Sequence, residues 1–101
     1  MIRILSVAFL LLTGAAQAAD APTRVISVGG AITEIIYALG AGDRVVASDT
    51  TSYYPPEAAK TPKVGYMRAL SAEGVLSMSP DLVILAADAG PPPVIEQLDT
   101  A

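Results

Sequence analysis

The sequence lacks histidine and cysteine entirely, and it has no tryptophan among its 101 residues. Without cysteine the chain forms no disulfide and offers no cysteine for attachment of a lipid. The Ser/His/Asp and Cys/His sets of nucleophilic enzymes and the usual zinc clusters are also excluded, because they need the missing residue types. Paired carboxylates at a spacing suited to acid–base catalysis are missing too. The sequence therefore predicts a binding protein rather than an enzyme.

Positive charge is also scarce. Six Lys and Arg residues stand against ten Asp and Glu, which gives a net charge of −4. Arg3 is the one charged residue among the first 18, so without that segment five basic residues remain against ten acidic ones, a net charge of −5. An acidic chain with scattered basic residues is poorly suited to a phosphate backbone. We expect no nucleic-acid partner.

The N-terminus has the three-part pattern of a secretory signal peptide. The segment "MIRILSVAFLLLTGAAQA" begins with Arg3, continues with the apolar run Ile4–Leu12 and ends in Ala16-Gln17-Ala18. The apolar run is shorter than the roughly 20 residues of a membrane-spanning helix. We therefore predict a signal peptide over residues 1–18, export to the periplasm and no membrane insertion of the mature chain. The alternatives are a buried N-terminal helix and a membrane anchor.

Beyond the signal segment, short apolar strands alternate with amphipathic helical segments. The pattern predicts the order β-α-β-loop-α-β-α, with strands at 25–28, 45–48 and 82–86, helices at 31–39 and 72–78, a helical turn at 56–59 and a last helix beginning near residue 91. Ser71 is the predicted N-cap of the helix at 72–78. Apolar strands that alternate with helices are typical of an α/β fold with a parallel sheet flanked by helices.

The predicted unit is small. Three strands and about 80 mature residues bury only a modest core, and the pattern stops in a helix, where a βαβ unit would continue. We expect residues 19–101 to be the incomplete N-terminal lobe of a longer protein. The alternative is a truncated gene product without a function.

Two polar features accompany the first helix. "SVGGAITE" forms a strand–Gly–Gly–helix junction whose backbone N–H groups can hold an anion, but two glycines also serve simply to make a tight turn. Glu34 lies in the first helical turn. It is either a solvated residue that complements the helix dipole or a surface carboxylate that meets a basic patch on a partner protein.

The segment "KVGYMRALSAEG" contains Tyr66 and Arg68, two residues apart. Tyrosinate is a known axial ligand of haem iron, but a phenol with a pKa of about 10 is neutral at pH 7. A nearby cation favours the phenolate, and Arg68 points the same way as Tyr66 if the segment is extended. The pair can thus supply an iron ligand with its activator, or it is an ordinary surface loop.

The combination of segments is more specific than any one of them. "RVISVGGAITEIIYALGAGDRVVASDTTSYYP" and "VGYMRALSAEGVLSMSPDLVILAADAGPP" closely resemble the N-terminal lobe of periplasmic haem-binding proteins of ABC-type haem importers. These belong to the helical-backbone class of substrate-binding proteins, which also carries siderophores and cobalamin. "DTTSYYP", "VGYMRALSAEG" and "DAGPP" resemble the haem branch in particular.

The resemblance implies a role for three residues. Tyr66 matches the tyrosine that is the axial ligand of haem iron, and Arg68 matches the arginine that hydrogen-bonds the phenolate or approaches a haem propionate. Glu34 matches the carboxylate that docks on arginines of the membrane permease. The implied protein is a monomer that captures haem between two lobes and delivers it to the importer for iron uptake, without chemistry on the haem. Capture of a siderophore or of cobalamin is the alternative, in which Tyr66 only lines the cleft.

Overall fold

A computed structural model describes residues 20–101, so the predicted signal peptide at 1–18 lies outside the described residues. The centre of the described fold is a three-stranded parallel sheet in the order β2–β1–β3. The elements along the chain are β1 (Val25–Val28), α1 (Gly30–Ala38), a 3-10 turn (Gly42–Arg44), β2 (Val45–Ser48), α2 (Pro56–Ala59), α3 (Ala72–Leu76), β3 (Leu82–Leu85) and α4 (Pro92–Thr100). The predicted α/β class and the predicted order of elements are confirmed.

The central strand β1 is buried along its whole length, because it is hydrogen-bonded to a neighbour on each side. Ile26 and Val28 of this strand form a buried cluster with Ala47 of β2, Leu70 and Val75. Apolar β-branched residues fit such a position, since a parallel strand between two neighbours and under helices is buried on both faces, and the one polar residue of β1, Ser27, is buried with a hydrogen-bond partner. Burying a side chain of this size contributes about 1.5–3 kcal/mol.

The amino-terminal edge of the sheet is closed by two side chains. The Asp81 carboxylate accepts hydrogen bonds from the backbone N–H groups of Thr23 and Arg24, both at 3.0 Å. The Arg24 guanidinium donates to the carbonyl oxygens of Met78 at 2.7 Å and Ser79 at 3.0 Å. These contacts tie the start of β1 to the turn that precedes β3.

Two helices differ from the sequence prediction. Helix α3 ends at Leu76 rather than at residue 78, because Arg24 binds the carbonyls that follow and Ser79 adopts a positive φ of 52°. The helix predicted at 31–39 is observed one residue earlier, at Gly30–Ala38, with Leu39 as its C-cap. Ile35 and Leu39 are 56% and 78% exposed, because α1 packs on the sheet through the neighbouring side that carries the buried Thr33.

None of the helices within residues 20–101 is both long enough and apolar enough to span a bilayer.

The predicted cap of α3 gives a direct test of the local structure. The Ser71 Oγ accepts a hydrogen bond from the Gly74 N–H at 2.9 Å. Ser71→Ala removes that acceptor and is expected to lower the free energy of unfolding of the full-length gene product by about 1 kcal/mol in urea denaturation. Ser71→Asp restores an acceptor and serves as the control. Equal stability of the alanine and aspartate variants would contradict the assigned cap.

Candidate ligand-binding site at the carboxyl edge of the sheet

The loop that follows β2 is built around a buried carboxylate. Asp49 has no solvent-exposed surface. Its Oδ1 accepts hydrogen bonds from the Gly29 N–H at 2.8 Å and the Ser52 hydroxyl at 2.7 Å. Its Oδ2 accepts from the Thr51 hydroxyl at 2.7 Å and the Thr51 N–H at 3.1 Å. The carboxylate therefore joins the end of β1, the start of α1 and the loop after β2.

The network continues inward through hydroxyl groups. The Thr33 Oγ1 lies 2.6 Å from the Ser52 Oγ and also shares a hydrogen bond with the Ser27 Oγ on β1. All three side chains are fully buried. Among residues 20–101, no buried side-chain N or O atom lacks a hydrogen-bond partner. A buried polar network is stable only when its members are satisfied in this way.

The environment of Asp49 favours the charged form. Burial raises the pKa of Asp49, but the Thr51 hydroxyl, the Gly29 N–H, the Ser52 hydroxyl and the Thr51 N–H together outweigh burial and hold the pKa below its ordinary value. Hydrogen bonds to a carboxylate stabilise its ionised form. The ionised Asp49 carboxylate therefore supplies a negative charge at the N-terminus of α1.

The Gly29-Gly30 junction serves this internal contact. The Gly29 N–H binds Asp49, and the Gly30 N–H donates to the Thr51 Oγ1 at 2.9 Å. A Cβ on Gly30 would lie 2.6 Å from the Thr51 carbonyl oxygen, so this position has room only for glycine. Of the two readings of "SVGG", the tight turn is the one observed, with its N–H groups already occupied by side chains of the protein.

A fourth, shorter segment continues the sheet beyond β2. Residues 62–65, which we call the edge segment, run parallel to the end of β2. The Ser48 N–H donates to the Pro62 carbonyl at 3.0 Å, the Val64 N–H to the Ser48 carbonyl at 2.9 Å and the Thr50 N–H to the Gly65 carbonyl at 2.9 Å. This pairing places the next residue, Tyr66, at the end of the sheet where the parallel strands finish, which we call the carboxyl edge.

Tyr66 is accessible in this position, with 46% of its surface exposed. The chain after it is fastened to the loop that follows β3. The Gly90 N–H donates to the Met67 carbonyl at 2.9 Å, and the Leu70 N–H donates to the Gly90 carbonyl at 3.0 Å. Two further exposed tyrosines, Tyr53 and Tyr54, lie in the loop after β2. The carboxyl edge thus presents several phenol rings to solvent.

Arg68 pairs with Asp88, not with the Tyr66 phenol. Its Nη2 lies 2.8 Å from the Asp88 Oδ2, and the two side chains are 62% and 58% exposed. An exposed ion pair of this kind contributes only about 0–1 kcal/mol. The guanidinium can therefore leave Asp88 at small cost. This pairing could not be predicted from the sequence, because the partners are 20 positions apart.

Glu34 takes no part in the hydrogen bonds of the Asp49 network. The prediction that it lies in the first turn of α1 is wrong, because the helix begins at Gly30 and its first turn contains no acidic residue. Glu34 is exposed and is followed by the exposed Ile35. A separate groove of about 360 Å³ lies between β3 and α4 and is lined by apolar side chains that include Leu82 and Leu98. None of the predicted site residues lines this groove.

Open parallel sheets bind ligands outside the carboxyl ends of their strands, where the strand order changes direction. The order β2–β1–β3 has such a change beside β1. Tyr66, Arg68 and the loop after β3 all lie at this edge, which is therefore the candidate ligand-binding site of the lobe.

Comparison with known proteins identifies the class. Residues 25–100 match the model of the periplasmic binding protein family, and the chain belongs to that family. The prediction of a binding protein rather than an enzyme is thereby confirmed.

Relatives with two kinds of ligand are similar to this chain. A vitamin B12-binding protein from Vibrio cholerae is 39% identical over 92% of this chain. The structure of the periplasmic haem-binding protein BhuT in complex with two haems is 53% identical, with a TM-score of 0.73 over 76% of this chain. A periplasmic haem-binding protein from Pseudomonas aeruginosa is 45% identical, with a TM-score of 0.76 over 79% of this chain. The chain spans only 34%, 30% and 29% of these three proteins.

Asp49 makes stability depend on pH in a defined direction. The pKa of Asp49 in the folded chain lies below its value in the unfolded chain, which is about 3.9. At a pH between these two pKa values the unfolded chain therefore binds more protons than the folded chain. The stabilisation is present above the unfolded pKa and is lost as the pH falls through the folded pKa. Asp49→Asn is expected to cost about 1–3 kcal/mol at pH 7.

Urea denaturation of the full-length gene product and its Asp49→Asn variant at pH 7, 5 and 3 measures this difference. We expect it to be constant between pH 7 and 5 and to shrink towards pH 3. Taking the difference between the two proteins removes the contribution of other carboxylates, including Asp81. A difference that is independent of pH would show that Asp49 does not titrate as its environment implies.

Proposed function

We propose that this chain is part of a periplasmic protein that captures haem and delivers it to an ABC importer for haem-iron uptake. The observation that carries the proposal is the accessible Tyr66 phenol at the carboxyl edge of the sheet, on a segment fixed by backbone hydrogen bonds at both ends. A phenolate is a hard anionic oxygen donor suited to ferric iron. Among the relatives described above, the two haem-binding proteins share a higher sequence identity with this chain, 53% and 45% over 76% and 79% of it, than the vitamin B12-binding protein, at 39% over 92%.

Arg68 has a second role in the proposal. The ion pair between Arg68 and Asp88 is exposed and is therefore weak. Arrival of haem can draw the guanidinium towards the Tyr66 phenolate or a haem propionate. Either contact brings opposite charges together and favours the ionised ligand. The apolar macrocycle then gains free energy from burial in the cleft, in proportion to the area removed from water.

Cobalamin is the second candidate, because a vitamin B12-binding protein is 39% identical over nearly the whole chain. In that case Tyr66 lines the cleft through its ring and makes no bond to a metal. Its hydroxyl is then dispensable for binding.

The first test removes only the Tyr66 hydroxyl. In the full-length gene product, ferric haem should give a tyrosinate-type visible spectrum. Tyr66→Phe should abolish that spectrum and weaken binding by at least about tenfold, or roughly 1.4 kcal/mol. Tyr37→Phe is the matched control, because the Tyr37 ring on α1 packs against Gly42 of the 3-10 turn and not at the carboxyl edge.

The contrary result distinguishes the two ligands. Unchanged haem affinity and an unchanged spectrum in Tyr66→Phe would remove Tyr66 as the iron ligand. Displacement of haem by equimolar cyanocobalamin, with Tyr66→Phe binding cobalamin like the wild type, would favour the cobalamin candidate.

Delivery is tested separately at Glu34. We propose that this carboxylate on α1 docks on arginines of the permease, since it is exposed and free to meet a partner. Glu34→Gln should leave haem affinity unchanged but slow growth on haem as the iron source, as a rim charge contributes mainly to encounter with a partner. Glu96→Gln on the exposed side of α4 is the control. Equal growth of the two variants would exclude docking through Glu34.

A further inference from the structure

The edge segment carries a lysine, Lys63, that is exposed as a residue but whose ammonium group is hydrogen-bonded to three oxygen atoms of the protein. The Lys63 Nζ donates to the Ser52 carbonyl at 2.7 Å, the Ser48 Oγ at 2.9 Å and the Ala58 carbonyl at 3.0 Å. Most surface lysines keep this group in water. Burial lowers the pKa of Lys63, while the nearby Asp49 charge acts in the opposite direction.

The three acceptors belong to different parts of the carboxyl edge. Ser48 ends β2, Ser52 lies in the loop that leads to the exposed Tyr53 and Tyr54, and Ala58 lies in α2. The donor itself belongs to the segment that leads to Tyr66. An ammonium with three donors can satisfy all three oxygens at once, much as a bound cation joins separate loops. One side chain therefore connects every segment that presents a phenol at this edge.

The backbone of the same segments is held by only a few bonds. Val64 binds Ser48 and Thr50 binds Gly65, and beyond them the chain turns at Tyr66. The Thr61 hydroxyl also lies 2.6 Å from the Ser48 Oγ, so the Lys63 contact is continuous with a second, partly buried polar pair. Loss of the ammonium would leave the Ser52 carbonyl without its donor, which costs more than the bond itself contributes, whereas the Ala58 carbonyl would keep the hydroxyl and N–H of Thr61.

We propose that Lys63 is a positioning residue for the ligand: its ammonium fixes the Tyr66 segment against the loop after β2 and thereby sets the direction of the Tyr66 phenol. The proposal deepens the haem-binding function and rests on it for the ligand. The fixing of the segment itself does not depend on which ligand binds. Lys63 touches neither the iron nor the haem in this account and acts through Tyr66.

The test compares Lys63→Met, which keeps the length of the side chain but removes its donors, with Lys60→Met. Lys60 is an exposed lysine three residues earlier and serves as the matched control. In the full-length gene product without ligand, hydrogen exchange at the amides of Val64 and Thr50 should quicken at least about tenfold in Lys63→Met. The Ala86 amide, which donates to the Val28 carbonyl, reports the sheet and should not change.

The second readout is the bound haem. Lys63→Met should weaken ferric haem binding by about tenfold and shift the tyrosinate-type visible bands, while Lys60→Met should match the wild type. An unchanged spectrum and affinity would overturn the positioning role, and so would equal acceleration of exchange at Val64, Thr50 and Ala86, which indicates general destabilisation. If the wild type binds no haem, the proposed function fails, whereas the exchange measurement still decides whether Lys63 fixes the segment.

Discussion

The buried carboxylate of Asp49 is the contact on which the carboxyl edge of this lobe depends. A parallel sheet ends in loops whose backbone groups have no partners within the strands, and in the interior such groups must be satisfied. Asp49 answers this need with four hydrogen bonds that reach the Gly29 N–H, Thr51 and Ser52. Because its charge is compensated by donors rather than by a cation in direct contact, removal of the carboxylate leaves several donors unpaired at once.

From this centre the constraint passes outward to the exposed side chains. In the loop after β2, the Thr50 N–H donates to the Gly65 carbonyl. The Lys63 ammonium also joins the edge segment to this loop, through the Ser52 carbonyl. Tyr66 follows directly and is accessible. The arrangement places an accessible phenol on a loop that is supported by hydrogen bonds, and such support is what the proposed haem ligand needs in order to keep its direction before the ligand arrives.

Much of the architecture could be predicted from the residues. Apolar runs bounded by Gly, Pro and Asp located β1 and β2 with the bounds observed, and Ser71 was predicted as the cap of α3 and is confirmed. The helix α1 shows where periodicity stops being sufficient. Ile35 on this helix and Leu39 at its C-cap are exposed, because the side of a helix that faces the sheet is set by tertiary packing and not by the pattern of the helix alone.

The site was less predictable than the fold. The "DTTSYYP" segment carried a resemblance, yet nothing in its letters showed that Asp49 is buried and binds Gly29, 20 positions earlier. The pairing of Arg68 with Asp88 and the three bonds of Lys63 are likewise contacts between distant segments. Local sequence specifies residue types and turns, whereas these contacts exist only once the strands have paired. The most direct test of the central claim is a crystal structure of the full-length gene product with ferric haem. The account predicts the Tyr66 phenolic oxygen bonded to the iron; iron bound by another residue, with Tyr66 left in solvent, would contradict it.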